Sequence, residues 1–192
     1  MEIGVLDIQG SVEEHIFILK KCGVNVIPVK TVADLKAVTG LIIPGGESTT
    51  IGKLLKRFGL FDEIIKKARA GMAIWGTCAG AILLAKKIIG QEGKIAVDNL
   101  GLMDITIARN AYGRQIDSFE TEIDFDMGKI SKKIPAVFIR APKIMSVEKN
   151  VKILASYEGE IVAALQGKFL ATTFHPEMTM DLSIHKFFIE MC

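Results

Sequence analysis

Short apolar runs alternate with amphipathic stretches from the amino terminus to Lys87. Ile3 to Ile8 reads as a buried first strand, ended by Gln9-Gly10. Ser11-x-x-Glu14 has the form of a capping box and predicts a helix running to Cys22, with Gly23 as its stop. Val24 to Val29 predicts a second strand, and Thr31 caps a short helix to Val38. Gly40 to Ile43 predicts a third strand, ending in Pro44-Gly45-Gly46-Glu47-Ser48. Two helices follow, over 49–57 and 61–70, with Gly59 and Gly71 as stops. Met72 to Trp75 then reads as a strand that runs directly into a helix-forming stretch from Ala79 to Lys86. Strands alternating with helices imply βαβ units. The fold expected is therefore α/β: three layers, doubly wound, with a mostly parallel sheet and helices on both faces.

The pattern changes after Lys87. The runs 103–108, 120–125, 136–141, 153–157, 161–166 and 169–174 are short, rich in β-branched or aromatic residues, and separated by Gly, Asn and Lys turns. This half is expected to be strand-rich and partly antiparallel. Asp181 predicts the cap of a final helix over 182–190. No Pro/Gly/Ser linker, repeat or low-complexity tract divides the chain, so residues 1–192 are expected to form a single domain.

Composition narrows the class. With 49% hydrophobic and 24% charged residues the chain is globular, and its net charge of +2 gives no electrostatic reason to expect nucleic acid as a partner. The three cysteines, Cys22, Cys78 and Cys192, do not form a disulfide framework, and no Cys/His cluster has zinc-site spacing. There is no signal-peptide pattern and no apolar run of membrane-spanning length. A reducing cytoplasm is the expected compartment, with no membrane association, and it suits a free catalytic thiol.

The strand-to-helix junction is Gly76-Thr77-Cys78-Ala79-Gly80, the cysteine version of the G-x-S-x-G nucleophile elbow. A strand that turns directly into a helix strains its middle residue and admits only small neighbours, here Gly76 and Gly80. It also leaves Cys78 at a helix N-terminus, where backbone N–H groups favour a thiolate. A thiolate acting on a carbonyl needs a base and an oxyanion site. Of the three histidines, His15 and His185 fall in predicted helices and read as surface or packing residues. His175 follows an apolar strand, in His175-Pro176-Glu177, and strand ends are where α/β sheets bind ligands. Side chains two apart in an extended segment share a side, so Glu177 can orient the His175 ring. The N–H groups of Gly46 and Ala79 are a candidate oxyanion pair. Arg109, Arg114 and Arg140 sit at strand ends, where they could hold a substrate carboxylate.

Pro-Gly-Gly-Glu-Ser at 44–48, Gly-Thr-Cys-Ala-Gly at 76–80 and His-Pro-Glu at 175–177 resemble the class I, triad-type glutamine amidotransferases. The segments at 4–10, 101–104, 109–115, 117–120 and 138–142 resemble the members that serve pyridoxal 5'-phosphate synthases as glutaminase subunits. The likeness covers essentially the whole chain; departures such as Ala81 and Met178 touch no proposed chemical role.

The resemblance implies hydrolysis of L-glutamine to glutamate and ammonia through a triad of Cys78, His175 and Glu177. It implies substrate contacts at Gly46, Glu47, Ser48, Arg109, Ile139 and Arg140. It further implies that ammonia is channelled to a synthase subunit within a large hetero-oligomer. The phosphate chemistry would then belong to that partner, and no cofactor is expected here; the chain carries neither a P-loop nor G-x-G-x-x-G. Residue chemistry alone leaves three other readings open: a glutaminase for a different amidotransferase, a stand-alone cysteine hydrolase, or a binding module with a silent site.

Overall fold

The computed structural model describes residues 1–91, 95–109 and 118–192. The amino-terminal half follows the alternation in the sequence: β1 (Glu2–Leu6), α1 (Val12–Lys21), β2 (Asn25–Val29), α2 (Val32–Lys36), β3 (Gly40–Ile43), α3 (Ser48–Arg57), α4 (Leu60–Arg69), β4 (Ala73–Thr77) and α5 (Ala79–Leu84). The rest is mostly strands: β5 (Ala85–Ile89), β6 (Met103–Ala108), β7 (Phe119–Asp126), β8 (Ser131–Phe138), β9 (Lys143–Val147), β10 (Lys152–Tyr157), β11 (Glu160–Gln166) and β12 (Phe169–Thr172). A 3-10 turn at Pro176–Met178 and helix α6 (Ser183–Met191) close the chain.

The main sheet runs β2-β1-β3-β4-β12-β11-β9-β6-β5, with β10 also paired to β11. From β2 to β12 every pairing is parallel, whereas β12-β11, β11-β9 and β9-β6 are antiparallel. Strands β7 and β8 form a separate antiparallel hairpin. The central strands are apolar at consecutive positions because both their faces are covered. Leu41, Ile43 and Ile74 face Ile51, Leu55 and Ile64 of α3 and α4. Ile42, Ala73 and Trp75 point the other way, into a core with Ile16 and Leu19 of α1, Phe188 of α6, and Phe125 and Phe138 of the hairpin.

Three expectations are corrected. The helix expected to reach Lys86 ends at Leu84, and residues 85–89 form β5 instead, paired in parallel with β6. The β-branched pair Ile88-Ile89 gains a sheet partner there, and tertiary pairing overrides helix propensity. Strand β9, which was not expected, fills the place between β11 and β6. The capping box of α1 does not form: Ser11 occupies the N-cap position, but its hydroxyl makes no cap bond and is used elsewhere. By contrast, Thr31 and Asp34 do form a reciprocal box on α2. Among the described residues no helix is long and apolar enough to cross a membrane.

Candidate active site

Three adjacent parallel strands bring the three motifs together. Strand β4 lies between β3 and β12, with Gly76 beside Ile43 and Thr77 beside Thr172. Their carboxyl ends release Pro44–Ser48, Cys78 and His175–Glu177 side by side, at the edge where α/β sheets place their ligands. The loop after β1, Gln9–Ser11, adjoins them.

Cys78 takes φ 48 and ψ −102, a conformation that side chains other than glycine rarely adopt. The turn is held from both sides: Cys78 N–H donates to Thr172 O at 2.8 Å, and Ile82 N–H donates to Cys78 O at 3.3 Å. Its glycines are there for space. A Cβ on Gly76 would lie 2.4 Å from the Gly80 backbone, and one on Gly80 would lie 2.0 Å from Ile43 O. The Cys78 thiol points toward Ile139 O, 4.0 Å away.

His175 and Glu177 are buried, and His175 Nδ1–H donates to Glu177 Oε1 at 2.7 Å. The His175 backbone N–H donates to Val137 O at 2.8 Å, which ties this segment to the end of β8. The Nε2 edge is thereby left free to face the cavity that Cys78 and His175 both line. Burial opposes the charged imidazolium, but the bonds to Cys78 and Glu177 and their charges outweigh it and push His175 up to about 10. Burial likewise opposes the Glu177 carboxylate. It is outweighed by the charge His15 takes up in acid, by the bond and charge of His175, and by the Ser11 hydroxyl, which together hold Glu177 at about 2.

The sequence reading placed Ser11, His15 and His185 elsewhere. Ser11 Oγ–H donates to Glu177 Oε1 at 2.7 Å, which is why it leaves α1 uncapped. His15 and His185 are fully buried, and His15 Nε2 lies 3.4 Å from Glu177 Oε2. The signal was available: Ser11 and His15 are four apart, on the helix face that carries Val12, Ile16 and Leu19. A polar residue on an apolar face needs a partner inside.

A cavity of about 430 Å³ opens over Cys78 and His175. Gly46, Glu47, Ser48, Arg109, Ile139 and Arg140 all line it, as does Ala79. Glu47 has a second task. Its carboxylate caps α3, accepting from Thr49 and Thr50 N–H at 3.0 and 2.6 Å, and it pairs with Arg109 Nη2 at 3.3 Å. Burial works to raise its carboxyl, but the bonds from Thr50 and Thr49 hold it at about 2. Arg109 is mostly buried, and among the described residues its Nη1 has no partner. Arg140 sits at φ 46 beside Ile139. Gln9 braces the glycine loop: its Oε1 accepts Glu47 N–H at 2.9 Å, and a Cβ on Gly46 would lie 2.4 Å from that oxygen. Arg114 lies outside the described residues. Among the described residues no group of three or more His, Cys, Asp or Glu is placed to hold a metal ion.

A doubly wound, mostly parallel α/β sheet with a small antiparallel hairpin is the fold of the class I glutamine amidotransferases. The chain belongs to the SNO glutamine amidotransferase family, whose model matches residues 5–192. It is 52% identical over 193 residues to pyridoxal 5'-phosphate synthase subunit PdxT of Caldanaerobacter subterraneus subsp. tengcongensis, covering 100% of this chain and 99% of that one. It is 50% identical over 191 residues to the subunit of the same name from Niallia circulans, covering 100% and 97%. A solved structure described as a glutamine amidotransferase superposes with a TM-score of 0.90 at 42% identity, covering 98% of this chain and 97% of that one.

Proposed function

We propose that this chain is the glutaminase subunit of a pyridoxal 5'-phosphate synthase, with Cys78, His175 and Glu177 as its triad. The observation that carries the reading is the cysteine elbow and a buried His–Glu pair lining one cavity, in a chain about half identical to PdxT subunits along its whole length. The Cys78 thiolate attacks the side-chain amide carbon of glutamine. The N–H groups of Gly46 and Ala79 receive the developing oxyanion. His175 gives its proton to the departing ammonia. It then takes a proton from the water that releases glutamate from the thioester. Glu177 keeps Nδ1 protonated and carries the compensating charge. Gly46, Glu47, Ser48, Arg109, Ile139 and Arg140 hold the substrate. The place of Arg109 on the cavity lining supports a contact with the substrate's α-carboxylate. Ammonia passes to a synthase subunit in a hetero-oligomer, and the complex is cytoplasmic.

Ammonia release from glutamine, with and without the synthase subunit, tests this. Wild-type protein should be active and should become more so on binding, as the partner favours the loop state in which Gly46 N–H faces the cavity. Cys78→Ala should be inactive while still binding the synthase. A glutamine-like electrophile should label Cys78 and spare Cys22 and Cys192. More than a trace of activity in Cys78→Ala would overturn the triad. Activity indifferent to the synthase would overturn the activation and leave the triad standing; copurification with a different synthase would overturn the partner.

A further inference from the structure

Behind Glu177, on the side away from Cys78, the structure holds two histidines that the triad does not use. His15 of α1 and His185 of α6 are both fully buried, and their Nδ1 and Nε2 atoms respectively lie 3.0 Å apart. The other nitrogen of His15 lies 3.4 Å from Glu177 Oε2 and 3.3 Å from Thr77 Oγ1. The edge of Trp75 packs against both rings, with centroids 5.5 and 4.8 Å away. Glu177 Oε1 is saturated by Ser11 and His175, whereas Oε2 is buried and has no hydrogen bond of good geometry among the described residues. His15 Nε2, which hydrogen-bonds Thr77 Oγ1, is also the ring nitrogen that lies beside Oε2.

Building on the glutaminase reading, we propose that His15 and His185 form a neutral, ordered imidazole pair that positions the Glu177 carboxylate for His175. The order of protons follows from which nitrogens face what. A lone pair on His15 Nε2 would confront the carboxylate, so that nitrogen carries the hydrogen. His15 Nδ1 is then an acceptor, and His185 Nε2–H donates to it. His185 Nδ1, which has no partner among the described residues, is left as a bare lone pair rather than a stranded N–H. The opposite order would set a lone pair against Glu177 and bury an unsatisfied donor on His185.

Neutrality matters as much as order. A cation at His15 would compete with His175 for the charge on Glu177. A neutral N–H holds the oxygen in place and leaves that charge available. Burial, the largest influence on each, lowers both rings from the ordinary histidine value. The charged groups that face the pair are Glu177 and His175, with Glu14 on α1 and Asp181 before α6.

Two isosteres of similar bulk separate positioning from packing. His15→Gln keeps an amide N–H near the Nε2 position, whereas His15→Asn reaches only the Nδ1 position. In the complex with synthase, His15→Asn should lose about tenfold to hundredfold in kcat with KM for glutamine unchanged, the cost of one contact to a charged group, and His15→Gln should stay near wild type. Equal kcat in the two variants, or a matching rise in KM, would overturn the proposal. A second measurement needs no variant and no activity: long-range proton–nitrogen NMR of the full-length wild-type chain at neutral pH. Both rings should appear as neutral Nε2–H tautomers; an Nδ1–H signature for His15 would overturn the proton order. If wild-type protein released no ammonia, the glutaminase reading would fall, and the NMR result would still decide the order of the pair.

Discussion

Gly45 is a glycine because of His175, and Gly45→Ala should cripple turnover while leaving the fold nearly intact. A Cβ at Gly45 would lie 2.3 Å from His175 Cε1, 3.0 Å from Nδ1 and 3.3 Å from Nε2. Ordinary contact begins at 3.4 Å, so the ring must retreat by about 1.1 Å. It has little room to do so without stretching the 2.7 Å bond to Glu177 or leaving Cys78. A misplacement of about 1 Å in a reacting group can cost about 10²-fold, which is the fall in kcat expected. Stability should change little. Gly45 is not in the left-handed region, so alanine suits its backbone and restricts the unfolded chain, a gain of about 0.4–1 kcal/mol. Local overpacking costs about 1–3 kcal/mol, leaving a net loss between nothing and about 2.6 kcal/mol. The assay is glutamine turnover by the variant in complex with synthase, paired with a thermal melt of the same sample. A folded Gly45→Ala protein with kcat within about threefold of wild type would refute the argument, because the ring position would then not govern proton transfer.

Two further outcomes follow from the charges around the site. Glu177 is held at about 2 against an ordinary 4.5, so its charged form stabilises the fold above pH 4.5, and that contribution is lost as pH falls through 2. The depression is worth about 3 kcal/mol. Urea unfolding should therefore show Glu177→Gln less stable than wild type at pH 7, by less than that amount because His15 is neutral there, with the gap gone by pH 2. Glu177 raises both His15 and His185, so the variant also makes them costlier to charge in acid; a gap independent of pH would contradict the account. Arg109→Ala and Arg140→Ala should each raise KM for glutamine by about one to two powers of ten while sparing kcat, as loss of a charge-assisted contact does. Unchanged kinetics in both would return these arginines to structural roles.

The sheet was largely legible because its central strands are buried on both faces and read as unbroken apolar runs. Gly40–Ile43 and Met103–Ala108 emerge with the limits expected. What failed to read was pairing across long distances. Residues 85–89 continue a helical pattern locally and become a strand because β6 offers them a partner. The motif residues read well for the opposite reason: a strand-to-helix elbow and a strand-end His-Pro-Glu are local arrangements. All six residues expected at the substrate line one cavity. The polar shell behind Glu177 did not read. Ser11 looked like an ordinary helix cap, and nothing local shows that its hydroxyl bonds a carboxylate 166 residues away. His15 was likewise ambiguous until α1 and α6 were packed on the same side of the sheet.

The placing of β4 between β3 and β12 has a consequence for the order in which the molecule comes into being. A ribosome delivers the elbow well before β12, together with β1, β2 and β3. At that moment β4, buried along its whole length in the finished protein, has an open edge. Such an edge invites pairing with other chains. Strand β12 and the segment beyond it, made about ninety residues later, close that edge and bring His175 and Glu177 to the sulfur in one stroke. A chain that has not yet reached β12 holds the cysteine without its base, so protection of the core and arming of the thiol arrive together with that strand.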